Sequence, residues 1–115
     1  MIIYKDLKIK DLQEKFSGRY PNLKLEFYSV AHEAEELTPN DFKLDAKTEI
    51  TNLISLEKPI DLSINGNTKI ETLENRFEEL GLHVQVFRKS GNIWLQTSRT
   101  DHKTLAELAA MSNAY

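Results

Sequence analysis

The sequence predicts an α+β fold built from two pseudo-symmetric copies of one β-α-β-(β)-α unit. A helical stripe of apolar residues ending in phenylalanine occurs twice: Ile9, Leu12 and Phe16, then Ile70, Leu73 and Phe77. A segment of alternating apolar residues follows each stripe: Leu23, Leu25 and Phe27, then Leu82, Val84 and Val86. Residues 44–48 are echoed by residues 100–104. Each copy is too small to bury its own apolar face, so we expect the two copies to share one core.

The chain length favours a single domain over residues 1–115, with copy one at about 1–56 and copy two at about 58–112. A helix between two strands favours a right-handed crossover and parallel strands. A hairpin pairs its strands antiparallel. We therefore expect a mixed sheet with both long helices packed on one face and related by a pseudo-twofold axis.

Copy one begins with a short strand at Ile2-Ile3-Tyr4, followed by a helix over 8–19 that ends near Gly18 and Pro21. Alternation predicts a strand over 23–28. Residues 29–43 lack a regular pattern and are expected to form a loop. A short edge strand or a loop is expected over 37–44, because this segment contains Pro39, Asn40 and Asp41. A short helix is expected over 47–54.

Copy two begins with a strand over 60–64 and a turn at Asn65-Gly66-Asn67. The helix over 69–80 is expected to start with a Thr68/Glu71 capping box and to end at Gly81 in a left-handed conformation. A second capping box, Thr104/Glu107, introduces a helix over 105–112.

A hairpin is expected within residues 82–97 of copy two. A two-residue loop with Ser90 and Gly91 at its tip pairs Val86 with Leu95 and Phe87 with Trp94. This register places aliphatic side chains on one face and the two aromatic side chains on the other.

The hairpin sequence Val84-Gln-Val-Phe-Arg-Lys-Ser-Gly-Asn-Ile-Trp-Leu-Gln-Thr97, with Thr100-Asp101 and Thr104-Leu105 after it, resembles an uncharacterised family of small bacterial proteins. The resemblance covers the last third of the chain and the preceding helix. The family has an acidic residue and a tryptophan where this chain has His102 and Lys103. The resemblance implies a free-standing intracellular bacterial domain. It implies no activity.

Composition excludes several classes of protein. The chain has no cysteine, which rules out disulfides, thiolate metal sites and cysteine nucleophiles. The first residues, Met1 to Asp6, have no apolar segment typical of a signal peptide, and no apolar run reaches the ~20 residues of a membrane helix. We therefore expect a cytoplasmic protein without membrane contact.

Charge is distributed unevenly along the chain, whose net charge is −3. Residues 30–57 carry seven acidic against two basic residues, and residues 82–115 carry four basic against two acidic residues. Such runs often serve only solubility. They are also compatible with complementary poles that dock head-to-tail, or with a basic patch for an anionic partner.

No catalytic, cofactor-binding or metal-binding residues are predicted. His32-Glu33-Ala34-Glu35-Glu36 lacks the second histidine of a zinc-protease helix, and His83 and His102 are not at ligand spacing. Gly66 and Gly91 are single turn glycines without a phosphate-binding loop pattern. We therefore expect a non-enzymatic protein without a cofactor.

Aromatic residues on the outer side of the predicted sheet are the strongest functional signal. The candidate interface residues are Tyr28, Gln85, Phe87, Arg88, Trp94 and Gln96. An exposed aromatic strip is typical of a protein interface or homodimer. With Arg88, Lys89 and Arg99 nearby, it is also compatible with single-stranded nucleic acid, although the acidic net charge argues against this. In a third alternative, residues 29–43 fold over the strip and cover it.

Overall fold

The described part of this computed structural model comprises residues 1–29, 42–97 and 102–112. Its helices and strands are β1 (Ile2–Ile3), α1 (Ile9–Arg19), β2 (Leu23–Tyr28), β3 (Ile60–Asp61), α2 (Ile70–Glu79), β4 (His83–Ser90), β5 (Ile93–Gln96) and α3 (Leu105–Ser112). A 3₁₀ turn at Ile50–Asn52 stands where the sequence predicts a helix over 47–54. The fold is α+β, as predicted. None of the described helices is long and apolar enough to cross a bilayer.

The strands form two antiparallel sheets, so the predicted mixed sheet is wrong. β1 pairs with β3, and the second sheet has the strand order β2-β4-β5. β1 ends after two residues because the chain then turns, with the Leu7 N–H donating to the Tyr4 C=O over 3.2 Å. Helix α1 therefore connects strands of two different sheets, and no parallel pair forms among the described residues.

Both long helices bury their apolar stripes in one core with the inner face of the three-stranded sheet. Leu25 lies opposite Val86 and Phe27 opposite Val84, so these side chains share that inner face. The Phe27 ring meets the ring of Phe77 edge-on, with centroids 5.8 Å apart. Leu105 and Leu108 of α3 complete the same cluster.

Each long helix begins beside a distant segment that accepts its first main-chain hydrogen bond. Two such bonds, each written donor first, are Ile9 to Thr48 (2.9 Å) and Ile70 to Lys103 (2.9 Å). Two further bonds run back from the distant segments, Ile50 to Leu7 (3.0 Å) and Leu105 to Thr68 (2.9 Å). Because a helix start leaves N–H groups without partners inside the helix, these bonds replace part of what a cap supplies.

The predicted Thr68/Glu71 capping box does not form. The N-cap of α2 is Lys69, without a side-chain cap, and the Thr68 hydroxyl accepts a hydrogen bond from the Asn65 N–H instead (3.1 Å). The Thr104/Glu107 box is confirmed. The left-handed conformation predicted at Gly81 is also confirmed, with φ at 89°.

The hairpin of β4 and β5 forms in a different register from the predicted one. Its two loop residues are Gly91 and Asn92, so Phe87 lies opposite Gln96 and Trp94 lies opposite Lys89. Gly91 has φ 60°, which glycine adopts without the steric penalty of a side chain. The shift is two residues, so Phe87 and Trp94 stay on one face but are diagonal neighbours.

Residues 42–44 lie along the free side of β2. The Leu44 N–H donates to the Phe27 C=O and the Ser29 N–H donates to the Phe42 C=O, both over 2.8 Å. Lys43 forms an antiparallel bridge with Tyr28. The end of the predicted 37–44 segment is therefore an edge bridge. Most of the predicted 29–43 loop, residues 30–41, lies outside the described residues.

Candidate functional site

The candidate site is the outer face of the three-stranded sheet, on the side away from α1 and α2. The strand registers place nine residues there: Lys24, Glu26, Tyr28, His83, Gln85, Phe87, Lys89, Trp94 and Gln96. Five of the six predicted interface residues belong to this outer face. The sixth, Arg88, lies opposite Leu23 and Leu95, and its strand position therefore faces the core side of the sheet.

Burial divides the outer face into a closed half and an open half. Tyr28 is 1% exposed and Gln85 is fully buried. Phe87 and Gln96 are half-buried, and Trp94 is 36% exposed. The predicted continuous aromatic strip is therefore reduced to Phe87 and Trp94 at the hairpin end.

A lysine links the two aromatic rings of the open half. Lys24 is the cross-strand neighbour of Phe87, and its Nζ lies 5.4 Å from the centre of that ring. The same Nζ lies 4.8 Å from the centre of the Trp94 ring. Both distances are within the range of cation–π attraction, which contributes ~0.5–1 kcal/mol at exposed positions. The Lys24 ammonium therefore contacts both of two rings that the hairpin register leaves diagonal.

Glu26 supplies the negative charge next to this group. Its carboxylate lies 3.6 Å from Lys24 Nζ and 3.3 Å from Lys43 Nζ. Gln13 of α1 reaches the same carboxylate with its amide nitrogen (3.4 Å) and donates to the Leu25 C=O (2.8 Å). Glu26 therefore connects the edge segment, β2 and α1 in one polar network.

The closed half holds two buried polar groups for which the described residues supply no hydrogen-bond partner, the Tyr28 hydroxyl and the Gln85 Oε1. Burial, and then the charge of Glu26, raise the pKa of Tyr28 to about 12. The Gln85 amide nitrogen donates to the Val86 C=O over 3.2 Å. Buried polar atoms without partners cost free energy, so these two groups oppose the burial of this half of the face.

Lys24 and Glu26 are functional candidates that the aromatic pattern alone did not identify. The alternation of the segment 23–28 places both on the same face as Tyr28. The signal was therefore present in the strand period. A prediction based on aromatic residues and the hairpin alone leaves out the polar residues of β2, where Lys24 lies.

The other polar residues give no further site. Among the described residues, no group of three or more histidine, aspartate or glutamate side chains is arranged to hold a metal ion. His83 Nδ1 lies 2.7 Å from the Glu78 carboxylate, while His32 and Arg99 fall outside the described residues. Comparison with protein-family models, curated proteins and solved structures finds no match to this chain.

Proposed function

We propose that this protein is a non-enzymatic binding module that associates with a second copy of itself through the β4–β5 hairpin. The observation that carries this proposal is the open half of the outer face. There the Lys24 ammonium lies over the rings of Phe87 and Trp94, and Trp94 is 36% exposed. Aromatic residues in rigid positions are the usual anchors of protein interfaces.

Lys89, which lies opposite Trp94, adds a cationic group to this surface. Ile93, which lies opposite Ser90 and therefore on the other side of β5, is 59% exposed at the same end of the hairpin. No carboxylate of the described residues lies within ion-pair distance of Arg88 or Lys89. An apolar centre with a charged rim is the usual composition of a protein interface.

Charge complementarity favours a second copy as the partner. Residues 30–57 have a net charge of −5, whereas the hairpin carries the adjacent cations Arg88 and Lys89. Opposite potentials steer two copies into a head-to-tail encounter, and the aromatic anchors then supply the affinity. Such a contact is heterologous and closes into a ring only if its rotation allows.

Sedimentation velocity over a concentration series tests the proposal. We expect the wild-type chain to self-associate and Trp94→Ala to weaken association by about 2 kcal/mol, as loss of a central aromatic anchor does. Tyr4→Ala is the matched control, because Tyr4 is also an exposed aromatic residue (39%) beneath a lysine, Lys15 Nζ at 5.1 Å. A wild-type chain that stays monomeric throughout the series excludes self-association.

Single-stranded nucleic acid is the second candidate partner. The observation in its favour is that Lys89, opposite Trp94, has no acidic partner among the described residues and lies on the same face as two aromatic rings on which bases could stack. Salt discriminates the two proposals, since nucleic-acid affinity falls steeply with salt and an aromatic protein contact does not. Titration of a labelled oligothymidylate at two salt concentrations, with Trp94→Ala alongside, measures this difference.

We also propose that the two halves of the chain are structural copies related by a pseudo-twofold axis. The paired helix-start hydrogen bonds of Ile9 and Ile70, to Thr48 and Lys103, support this relation. A second pair of bonds supports it as well, Leu44 to Phe27 and Thr97 to Val86. Superposition of residues 8–28 on 69–87 in an experimental structure tests it, and failure of the two units to overlay refutes it.

A further inference from the structure

A cavity of about 210 Å³ lies beside the C-terminal half of α1, away from the outer face. Its lining residues are Met1, Lys15, Phe16, Arg19, Tyr20 and Ile64. The rings of Phe16 and Tyr20 are 5.4 Å apart at their centroids and form an apolar wall. The cavity is smaller than most ligand pockets, which measure ~300–1,000 Å³, and therefore fits a small molecule.

Two cations border this cavity, and neither has a counter-ion within the described ranges. Lys15 and Arg19 are one helical turn apart on α1, and no carboxylate of the described residues lies within ion-pair distance of either. Asp61, the acidic residue on the neighbouring strand, contacts the Met1 ammonium instead (3.4 Å). In a chain with a net charge of −3, two cations beside one apolar cavity are a local excess of positive charge.

Hydrogen bonds already orient both cations and leave donors free. Arg19 Nη1 donates to the Ile64 C=O over 2.9 Å, and the guanidinium carbon lies 5.6 Å from the centre of the Tyr20 ring. Lys15 Nζ contacts the Ile2 C=O at 3.4 Å. A guanidinium has five N–H donors, so Arg19 retains donors for a ligand while its plane stays fixed.

The Tyr20 hydroxyl is the second, independent indication of a ligand. This oxygen is buried and finds no hydrogen-bond partner in the part of the chain that the structure describes. A buried hydroxyl without a partner costs free energy that a hydrogen bond to a ligand oxygen would recover. Tyr20 lines the same cavity as the two cations.

We propose that this cavity binds a small carboxylate with an apolar body. The body lies against the rings of Phe16 and Tyr20. The carboxylate accepts hydrogen bonds from Arg19 and Tyr20 and lies close to the Lys15 ammonium. A planar carboxylate suits a guanidinium, because both can form two parallel hydrogen bonds.

The second half of the chain provides a matched control. Arg76 precedes Phe77 on α2 as Lys15 precedes Phe16 on α1, and it donates to the Ser63 C=O as Lys15 contacts the Ile2 C=O. Leu80 and Gly81, just after α2, stand at the positions that correspond to Arg19 and Tyr20 at the end of α1. A second cation and a hydroxyl are therefore absent from that position of the described structure.

NMR titration with phenylacetate, and with its neutral analogue phenylacetamide, tests the proposal. We expect saturable shifts around α1 with phenylacetate at millimolar concentrations, and at least about tenfold weaker binding of phenylacetamide, because the amide forms no charge-assisted bonds. Arg19→Gln should weaken phenylacetate binding by at least about tenfold, and Tyr20→Phe by several-fold. Arg76→Gln should leave the affinity unchanged.

Thermal unfolding of each variant separates a lost ligand contact from a lost fold. Where Arg19→Gln is poorly folded, Arg19→Lys keeps the charge and removes the planar fork, and should still weaken binding. Equal binding of acid and amide overturns the proposal, as does unchanged affinity in both Arg19→Gln and Tyr20→Phe. Absence of saturable shifts with phenylacetate overturns it as well. None of these results depends on the hairpin or on self-association.

Discussion

Glu26 and Gln85 lie directly opposite each other across β2 and β4, at the middle of the outer face. Glu26 is 8% exposed and Gln85 is fully buried. The Glu26 carboxylate is compensated by Lys24 and Lys43 at 3.6 and 3.3 Å. Buried polar groups cost free energy unless they are paired. The outer face therefore has a polar centre, and its apolar surface is confined to the hairpin end.

This arrangement makes the stability of the protein sensitive to alkaline pH through Tyr28. Burial, and then the Glu26 charge, raise the pKa of Tyr28 from 10.0 to about 12. The folded state therefore holds the phenolic proton more tightly than the unfolded state. The resulting stabilisation is fully present below about pH 10 and is lost as the pH rises towards about 12, an effect of about 2–3 kcal/mol.

The test is the free energy of unfolding measured across this alkaline window. Tyr28→Phe should reduce the loss, and Glu26→Gln should lower the pKa of Tyr28 because it removes the second cause of the shift. Tyr4→Phe is the control at an exposed tyrosine. A Tyr28 absorbance titration with its midpoint near the ordinary value of 10.0 would contradict the prediction.

The core prediction concerns Phe16 and Phe77, which end the two helical stripes. They are 1% and 0% exposed. Truncation of a fully buried phenylalanine leaves a cavity, so Phe16→Ala and Phe77→Ala should each cost about 3–5 kcal/mol in chemical denaturation. Ile2→Ala is the control, because Ile2 is 50% exposed and should lose far less. A cost below about 1 kcal/mol at either phenylalanine would show that its site collapses freely.

Local periodicity predicted the elements well, because each helix and strand contributes one continuous apolar side to the core. The stripes ending in Phe16 and Phe77 gave both long helices within one residue of their observed ends. Local periodicity could not predict which strands pair with each other. Whether β1 joins β2 or β3 depends on contacts between residues about 60 positions apart, such as Ile2 with Asp61.

The candidate site was predicted in part for a related reason. Strand period correctly placed Phe87 and Trp94 on one face, but not their burial relative to Tyr28 and Gln85. The burial of a side chain depends on which residues pack over its face of the sheet, and these residues can be distant in the sequence. The predicted pairing of β4 with β5 was wrong because the position of the turn is ambiguous. Both Ser90-Gly91 and Gly91-Asn92 satisfy the sequence preferences of a two-residue loop.

Two glycines give a test of the backbone conformation at the tip of the hairpin. Gly91 has φ 60° and Gly18 lies inside α1, and an added Cβ would meet no atom within 4 Å at either position. Alanine at residue 91 should cost about 1 kcal/mol, because L-residues disfavour this left-handed conformation. Alanine at residue 18 should stabilise α1 by about 0.5–1 kcal/mol. Neither change creates a clash, so any change in the free energy of unfolding reports the backbone conformation alone. Opposite changes in the two variants, one destabilising and one stabilising, would confirm the two conformations. A stabilising Gly91→Ala would argue against the left-handed conformation of Gly91.

The last prediction concerns the start of α3, where Thr104 and Glu107 form a reciprocal capping box. The Thr104 N–H donates to the Glu107 carboxylate and the Glu107 N–H donates to the Thr104 hydroxyl, both over 3.1 Å. The hydrogen bond from the Thr104 N–H, followed by smaller contributions, holds the pKa of Glu107 below its ordinary value. The carboxylate therefore stabilises the fold above that value, and the contribution is lost as the pH falls through the lowered pKa.

Thr104→Ala should cost about 1 kcal/mol, as loss of an N-cap hydroxyl does. It should also raise the pKa of Glu107 only partway, because the main-chain donor remains. Glu107→Gln should remove this part of the acid dependence, whereas Glu71→Gln should not, since α2 starts without a side-chain cap. NMR titration of the Glu107 carboxyl, with denaturation of the same variants, measures both effects. Equal acid dependence in the Glu71 and Glu107 variants would mean that the box contributes nothing specific to α3.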